Sequence, residues 1–426
     1  MKFDWKNSPG LKILIIGLLM LVLSLPSSLI VRLIEERQAR QTETMHDISS
    51  TWGGEQKLVG PLLIIPYEVN GQSASLKVLP EDWTMTGELL PEIRHRGLFS
   101  TVVYDAGLNL SGRFLLPGKA ESCLPAEAKL KLDQALLVVA VSQQRSLAGP
   151  IAVKIDGKDL PLRPGLPAQV KSKDFEGFHV RLGPDLKPDF SFVIDCRLHG
   201  SGSFDFLPSG RHSEIELTSP WTSPSYHGAF SSKHEETANG FKAHWSVQDL
   251  QRGLVQNWLE DKLIPGAEFC GVDLYQSNDV YQRIWRMSRY ALMFLCFTFA
   301  GVFILERVKG VRVHPLQYLL VGFAALLFNV LLLAFAEHLG FNPAYLAAAS
   351  LICLLAGAYS AAVFRSRGIG ITQSGILAGL YAFLYGTLQL EDYALLMGSL
   401  GLFLVLSIVM FVTRGLNREV PEEECL

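Results

Sequence analysis

Four histidines crowd one stretch of the chain, "HSEIELTSPWTSPSYHGAFSSKHEETANGFKAHW", at His212, His227, His234 and His244. Imidazole is the commonest metal ligand, so a metal centre is the first chemistry to weigh. The spacing matches no compact zinc pattern, such as two histidines one helical turn apart. In "GFKAHWSV", Phe241, Ala243, Trp245 and Val247 alternate with Lys242, His244 and Ser246, which places His244 on the polar face of a strand. These histidines read as solvated or locally bonded, with no metal and no other cofactor expected. Ser225, close to His227, suggests a Ser–His–acid hydrolase, but no G-x-S-x-G elbow accompanies it. A serine in a Pro-rich turn more often bonds its own backbone. No catalytic residue is assigned, and the chain is not read as an enzyme.

The elements that must position these residues follow from hydropathy. The chain has 426 residues, 49% of them hydrophobic, with the apolar ones gathered near the N-terminus and in the C-terminal third. A membrane core needs ~20 apolar residues per helix. Six segments meet that mark: 11–33, 288–305, 316–336, 342–364, 369–388 and 393–412. The first has a basic leader of Lys2, Lys6 and Lys12, but its apolar run exceeds a signal core and lacks a cleavage site, so it reads as an uncleaved anchor. Pro26 is expected to kink it, with Ser27 or Ser28 answering the freed carbonyl. Residues 1–10 and 413–426 form the cytoplasmic ends. Arg307, Lys309 and Arg312 fill one loop, Arg365 and Arg367 another, and Arg414 and Arg418 follow the last segment. The loops "AEHLGFN" and "QLEDY" contain no Lys or Arg. The positive-inside rule therefore puts both termini in the cytoplasm and residues 34–287 outside it. Gly375 and Gly379, with Ala356, Gly357 and Ala361, suit close helix packing.

Residues 34–53 read as a helical stalk ending at Gly53 and Gly54. Beyond it, "FSTVVYDAGLNLSGRFLL" and "DFSFVIDCRLHGSGSFDF" alternate with period two. Val102, Tyr104, Ala106 and Leu108 share one face, as do Phe190, Phe192, Ile194 and Cys196. The fold class is therefore a membrane α-helical bundle of six spans plus a β-rich, antiparallel, sandwich-like domain inserted between the first and second spans. A helix is expected within "VQDLQRGLVQNWLEDKL". Of six cysteines, Cys123, Cys196 and Cys270 lie in the external domain, where one bridge at most can form and the spacing selects no pair. A formal net charge of −3 offers no basic surface for nucleic acid.

Several motifs carry a resemblance. "QKLVGPLLIIPY", "GELLPEIRHRGLFSTVVYDAGLNLSGRF", "GSGSFDFLPSGRHSEIELTSPWTSPSYHGAF", "GVDLYQSNDVYQRIWRMSRY" and "VHPLQYLLVGFAALLFNVLLLAFAEHLGF" stand in order along the chain, and "LQLEDYALLMGSLGLF" closes the set. The sequence resembles the CreD family, bacterial inner-membrane proteins associated with cell-envelope integrity. The resemblance implies an anchor, a periplasmic domain and a helical bundle. It further implies expression under a two-component system and effects on tolerance to stress, colicins and β-lactams, without supplying a mechanism. A pattern like W-x-x-P-S-aromatic-x-G marks Trp221 and Pro224 but fixes no histidine. Gln143 and Ser146 stand where the family pattern suggests Asp and Gly, Asn329 where an aromatic is commoner, and the tail after Arg414 departs altogether.

Three groups remain as candidate binding residues: Arg94 and Arg96, which flank His95; Trp221 and Pro224; and Glu337, His338, Glu391 and Asp392. Arg94 and Arg96 would contact anionic envelope material, or form a strand edge paired with Glu88 or Glu92, the reading adopted here. The last four would gather at the periplasmic ends of helices, as solvated caps or as a pH- or cation-sensing group. The expected partners are the lipid bilayer and an envelope component or periplasmic or inner-membrane protein. The expected function is envelope support by binding through the external domain; the alternative is a small-molecule transporter or flippase with that domain as a gate.

Overall fold

A computed structural model describes residues 9–118, 123–125, 127–170, 172–274, 280–309, 313–389 and 394–413. The chain divides into two compact units: Thr42–Ser277, and Met1–Gln41 with Asn278–Leu426.

The Thr42–Ser277 unit is built of strands. In chain order they are β1 (Gln56–Val69), β2 (Gln72–Val78), β3 (Asp82–Arg96), β4 (Phe99–Leu115), β5 (Lys129–Leu130) and β6 (Leu136–Val141). Then come β7 (Leu147–Ile155), β8 (Lys158–Asp159), β9 (Leu162–Pro164), β10 (Glu176–Arg181), β11 (Asp189–Ser201) and β12 (Ser203–Phe206). The last are β13 (His212–Ser219), β14 (Pro224–Gly228), β15 (Lys233–Thr237), β16 (Gly240–Gln248), β17 (Asn257–Trp258) and β18 (Cys270–Leu274). One sheet of ten strands has the path β14-β18-β12-β1-β6-β10-β9, with β2, β5 and β17 attached beside it. The other, of eight, runs β15-β16-β13-β3-β4-β11-β7-β8. Most pairings are antiparallel; β1 with β12 and β3 with β13 are parallel.

Period-two alternation sets the faces. On β4, Val102, Tyr104, Ala106, Leu108 and Leu110 turn inward; on β11, Phe190, Phe192, Ile194, Cys196 and Leu198 do. They meet residues of the other sheet, such as Leu63, Val139, Phe204 and Val272, in one core. The stretch Leu62–Ile65 of β1 is buried throughout, because a second cluster with Val138, Leu207 and Trp258 covers the far face of its sheet. That two-sided burial is why "LVGPLLII" reads as a continuous apolar run. The helix expected after β16 is reduced to the four residues Asp249–Arg252, ended by Gly253 at φ 63°. Cys123, Cys196 and Cys270 are free thiols, and burial pushes Cys196 and Cys270 up to about 12.

The helical unit follows a different logic. Helix α1 spans Pro9–Thr51, ending just before Gly53 and Gly54 at φ 89° and 69°. Ser28 Oγ donates to Leu25 O, three residues back, rather than to Val22 O, which faces the proline. After the four-residue α2 (Asp249–Arg252), α3 (Val280–Arg289) and α4 (Ala291–Lys309) meet at a 54° bend. The span expected from 288 thus begins at the break beyond Arg289. The turn before it is a separate amphipathic helix burying Tyr281, Ile284 and Met287. Helices α5 (Pro315–Leu339), α6 (Phe341–Val363), α7 (Arg367–Gln389) and α8 (Ala394–Thr413) follow. Among the described residues four helices are long and apolar enough to cross a membrane, five if α3–α4 counts as one span. Close packing falls on Gly357 and Gly370, where an added Cβ would strike the facing helix, while one at Gly375 or Gly379 would meet nothing.

Candidate functional site

The polar centre of the strand unit lies on the outer face of the ten-stranded sheet. On β12, Phe204 and Phe206 enter the core, so alternation turns Asp205 outward. On β18, Cys270, Val272 and Leu274 are buried, leaving Gly271 and Asp273 on the opposite face. On β14, Tyr226 faces in, stacked on His234 at 4.2 Å and set edge-on to Phe241 and Trp245, so His227 faces out.

Register then aligns His227 with Gly271 on β18, Gly271 with Asp205 on β12, and Asp205 with Lys57 on β1. The glycine makes the row work. A Cβ at Gly271 would sit 2.5 Å from Asp205 Oδ1 and 2.2 Å from Phe204 O. Without it, the His227 ring reaches across a whole strand. Its Nε2 lies 2.7 Å from Asp205 Oδ1, and its Nδ1 lies 3.2 Å from Asp273 Oδ2. Lys57 Nζ is 4.0 Å from Asp205 Oδ2. The Asp205 side chain is 9% exposed, against 21% for Asp273 and 39% for His227.

Burial raises the carboxyl of Asp205 above its ordinary range, against the opposing pull of His227 and Lys57. Asp273 is raised the same way, with the Asp205 charge adding to the effect. The two carboxylates take opposite nitrogens of one ring, so their oxygens do not converge on a point where a metal would sit. No metal-holding group of three His, Cys, Asp or Glu occurs among the described residues. What the arrangement can do is hold and release a proton.

Residues 8–419 match the family described as Inner membrane protein CreD. The chain belongs to the CreD family. A CreD relative, Inner membrane protein CreD of Escherichia coli (strain K12), is 30% identical over 414 residues, 93% of this chain and 91% of that protein. Among solved structures, an M1 zinc metallopeptidase from Deinococcus radiodurans aligns at 11% identity and TM-score 0.19, over 46% of this chain and 42% of its own. A putative protease from Parabacteroides distasonis ATCC 8503 aligns at 8% identity and TM-score 0.24, over 71% and 58%. Neither of these two likenesses carries an argument.

Against this CreD framework the sequence-derived candidates disperse. Arg94 pairs with Glu92 at 2.9 Å and lies over the Trp52 ring, while Arg96 reaches Asp47 at 3.2 Å. Trp221 is half-buried against the core, its Nε1 donating to Ser223 O, and Pro224 opens β14 opposite Leu274. His244 pairs with Glu214 at 2.9 Å, as an outward strand residue should. Ser146, one of the family departures, is fully buried and donates to Gln56 Oε1 at 2.9 Å. In the helical unit Glu337 accepts from the Tyr281 hydroxyl at 2.9 Å and lies 3.8 Å from Arg37, whereas His338 is exposed. Glu391 and Asp392 lie outside the described residues.

Sequence reasoning missed two features. It weighed His227 against the other histidines and the nearby Ser225, while its partners come from strands 22 residues upstream and 46 downstream (227−205 and 273−227). It also read Glu306 as loop, yet this carboxylate is 6% exposed at the end of α4, bonded by the Lys12 ammonium and by the Tyr318 hydroxyl at 2.9 Å. It lines a narrow cavity with Gln317, Ser360 and Gln373. Gln373 is 1% exposed, and neither amide atom has a hydrogen-bond partner among the described residues.

Proposed function

We propose that this CreD-family protein is a non-enzymatic component of the bacterial inner membrane that supports envelope integrity, and tolerance to stress, antibiotics or colicins, by binding. In this reading it crosses the membrane six times with both termini cytoplasmic, and the strand unit is periplasmic. The ligand is an envelope component or a partner protein. The observation that carries the reading is an open groove of about 460 Å³ on the outer face of the eight-stranded sheet. Glu88, Asn109, Asp195, Arg197 and Glu216 line it, and Gly107, where an added methyl would touch nothing, leaves its floor open. Such a floor of mixed donors and acceptors suits a polar ligand.

Photo-crosslinking in cells tests this, with the crosslinker at position 109 in the groove and at position 187 as an exposed control. A product specific to position 109 is the expected result. Equal capture at both positions, or none, would remove the groove as the binding surface.

A second reading, a small-molecule transporter or flippase, draws on the helical unit. Its support is the cavity that joins buried Glu306 to the unpartnered Gln373 amide. Flux in vesicles that is abolished by Glu306→Gln and Gln373→Leu is the expected signature; flux indifferent to both sinks it.

A further inference from the structure

The Asp205–His227–Asp273 row poses a hydrogen-count problem. An ionised carboxylate only accepts hydrogen bonds, and a neutral imidazole has one N–H and one lone pair. Yet both ring nitrogens face carboxylate oxygens, at 2.7 and 3.2 Å. With all three groups in their ordinary neutral-pH forms, one contact would set lone pair against lone pair. One further proton, on the ring or on a carboxylate, makes both the 2.7 Å hydrogen bond and the 3.2 Å ion-pair contact favourable.

The strand that carries His227 gives this proton a job. β14 is the outermost strand of its sheet, and its neighbours in sequence, β13 and β15, belong to the other sheet. It is held by five register pairs to β18, by Tyr226 packed inward and by His227 bonded outward. We infer that Asp205, His227 and Asp273 form a proton-binding latch that fastens β14 to β18, and that loss of the shared proton loosens β14 and uncovers the β18 edge. This goes beyond the binding reading above and does not depend on it.

The surrounding charges set the balance. From β1, Lys57 favours ionised carboxylates and opposes the extra proton, while Glu55, just before that strand, favours it. Tyr104 of β4 and Cys270 of β18, both raised by burial and by the Asp205 charge, stay neutral neighbours. On the inner side of β14, Glu236 acts on Tyr226. Burial of Asp205 and Asp273 works with the latch by disfavouring a doubly ionised pair.

Hydrogen exchange on the full chain in lipid nanodiscs, from about pH 5 to about pH 9, tests the latch. Protection factors divide out the intrinsic pH dependence of exchange. A closed state that binds one more proton than the open state loses about tenfold in protection per pH unit once that proton titrates. The expected result is such a fall for Ser225–Gly228, with β16 amides unchanged. Asp273→Asn supplies a carboxamide that can donate to a neutral ring, so its β14 should stay protected with a flat profile. Asp205→Asn makes the same exchange at the other nitrogen and serves if the first variant distorts the strand. A flat wild-type profile overturns the proposal, as does an undiminished slope in both variants. If neither variant protects β14 at any pH, the wild-type profile decides alone: a slope confined to β14 supports the latch, and none ends it.

Discussion

Two buried carboxylates, one in each unit, show how differently a sheet and a helical bundle house a charge. Asp205 sits on a pleated strand whose neighbours are fixed by register, and a missing side chain at Gly271 opens the path to His227. Glu306 sits at a helix end, where a lysine and a tyrosine on two other helices come to it. In the sheet the space is made by backbone and glycine. In the bundle it is made by long flexible side chains. The first arrangement should therefore be brittle and the second adaptable.

The largest expected effect breaks the sheet arrangement. Gly271→Leu would drive a side chain into Phe204 O and Asp205 Oδ1, with nothing flexible to yield, and should cost roughly 3 kcal/mol or more. Thermal unfolding followed at the aromatic core would report it, and a loss below about 1 kcal/mol would show that the row can spread.

In the bundle, Lys12→Ala leaves Glu306 with Tyr318 and should cost roughly 2–3 kcal/mol. The pair Lys12→Met with Glu306→Gln should recover most of that loss, because removing both charges also removes the desolvation that each demands. Denaturation in mixed micelles would compare the two, and a double variant worse than the single would contradict adaptability.

A smaller effect is electrostatic and signed. Asp205 has a folded-state pKa above its unfolded value, so its contribution to stability is full below the unfolded pKa and fades as pH rises through the folded one. Asp205→Asn should therefore flatten the decline in melting temperature from about pH 4 to about pH 8, with the variant gaining most on wild type at the upper end. A parallel pair of curves would mean that Asp205 does not titrate in that window. The smallest change belongs to the surface: Arg94→Ala removes an exposed pairing with Glu92 and a contact over Trp52, worth about 1 kcal/mol or less.

Much of this was written in the order of residues. Alternation in "FSTVVYDAGLNLSGRF" and "DFSFVIDCRLHGS" gave β4 and β11 with the correct faces, because a strand has only two and burial chooses one. The same logic placed His244 outward. The ends of α5, α6 and α7 fall within three residues of the apolar runs read from the sequence, since a run long enough to cross a bilayer has little freedom in where it stops.

Partnership across the fold was not written there. Which strands flank β18, and that a glycine in its middle lets His227 meet Asp205, depends on a sheet order in which consecutive strands are often not neighbours. Likewise an apolar helix shows no preferred face in its sequence, so nothing in α4 or α7 announced that Glu306 and Gln373 turn toward a common cavity. The chain's own order settled helices long and apolar enough to cross a membrane, alternating strands and a family, all of which rest on local periodicity and length. Only tertiary structure settled the proton-holding row and the buried Glu306, because each is a meeting of side chains from distant segments, and the energy of such meetings exists only once the backbone has brought them together.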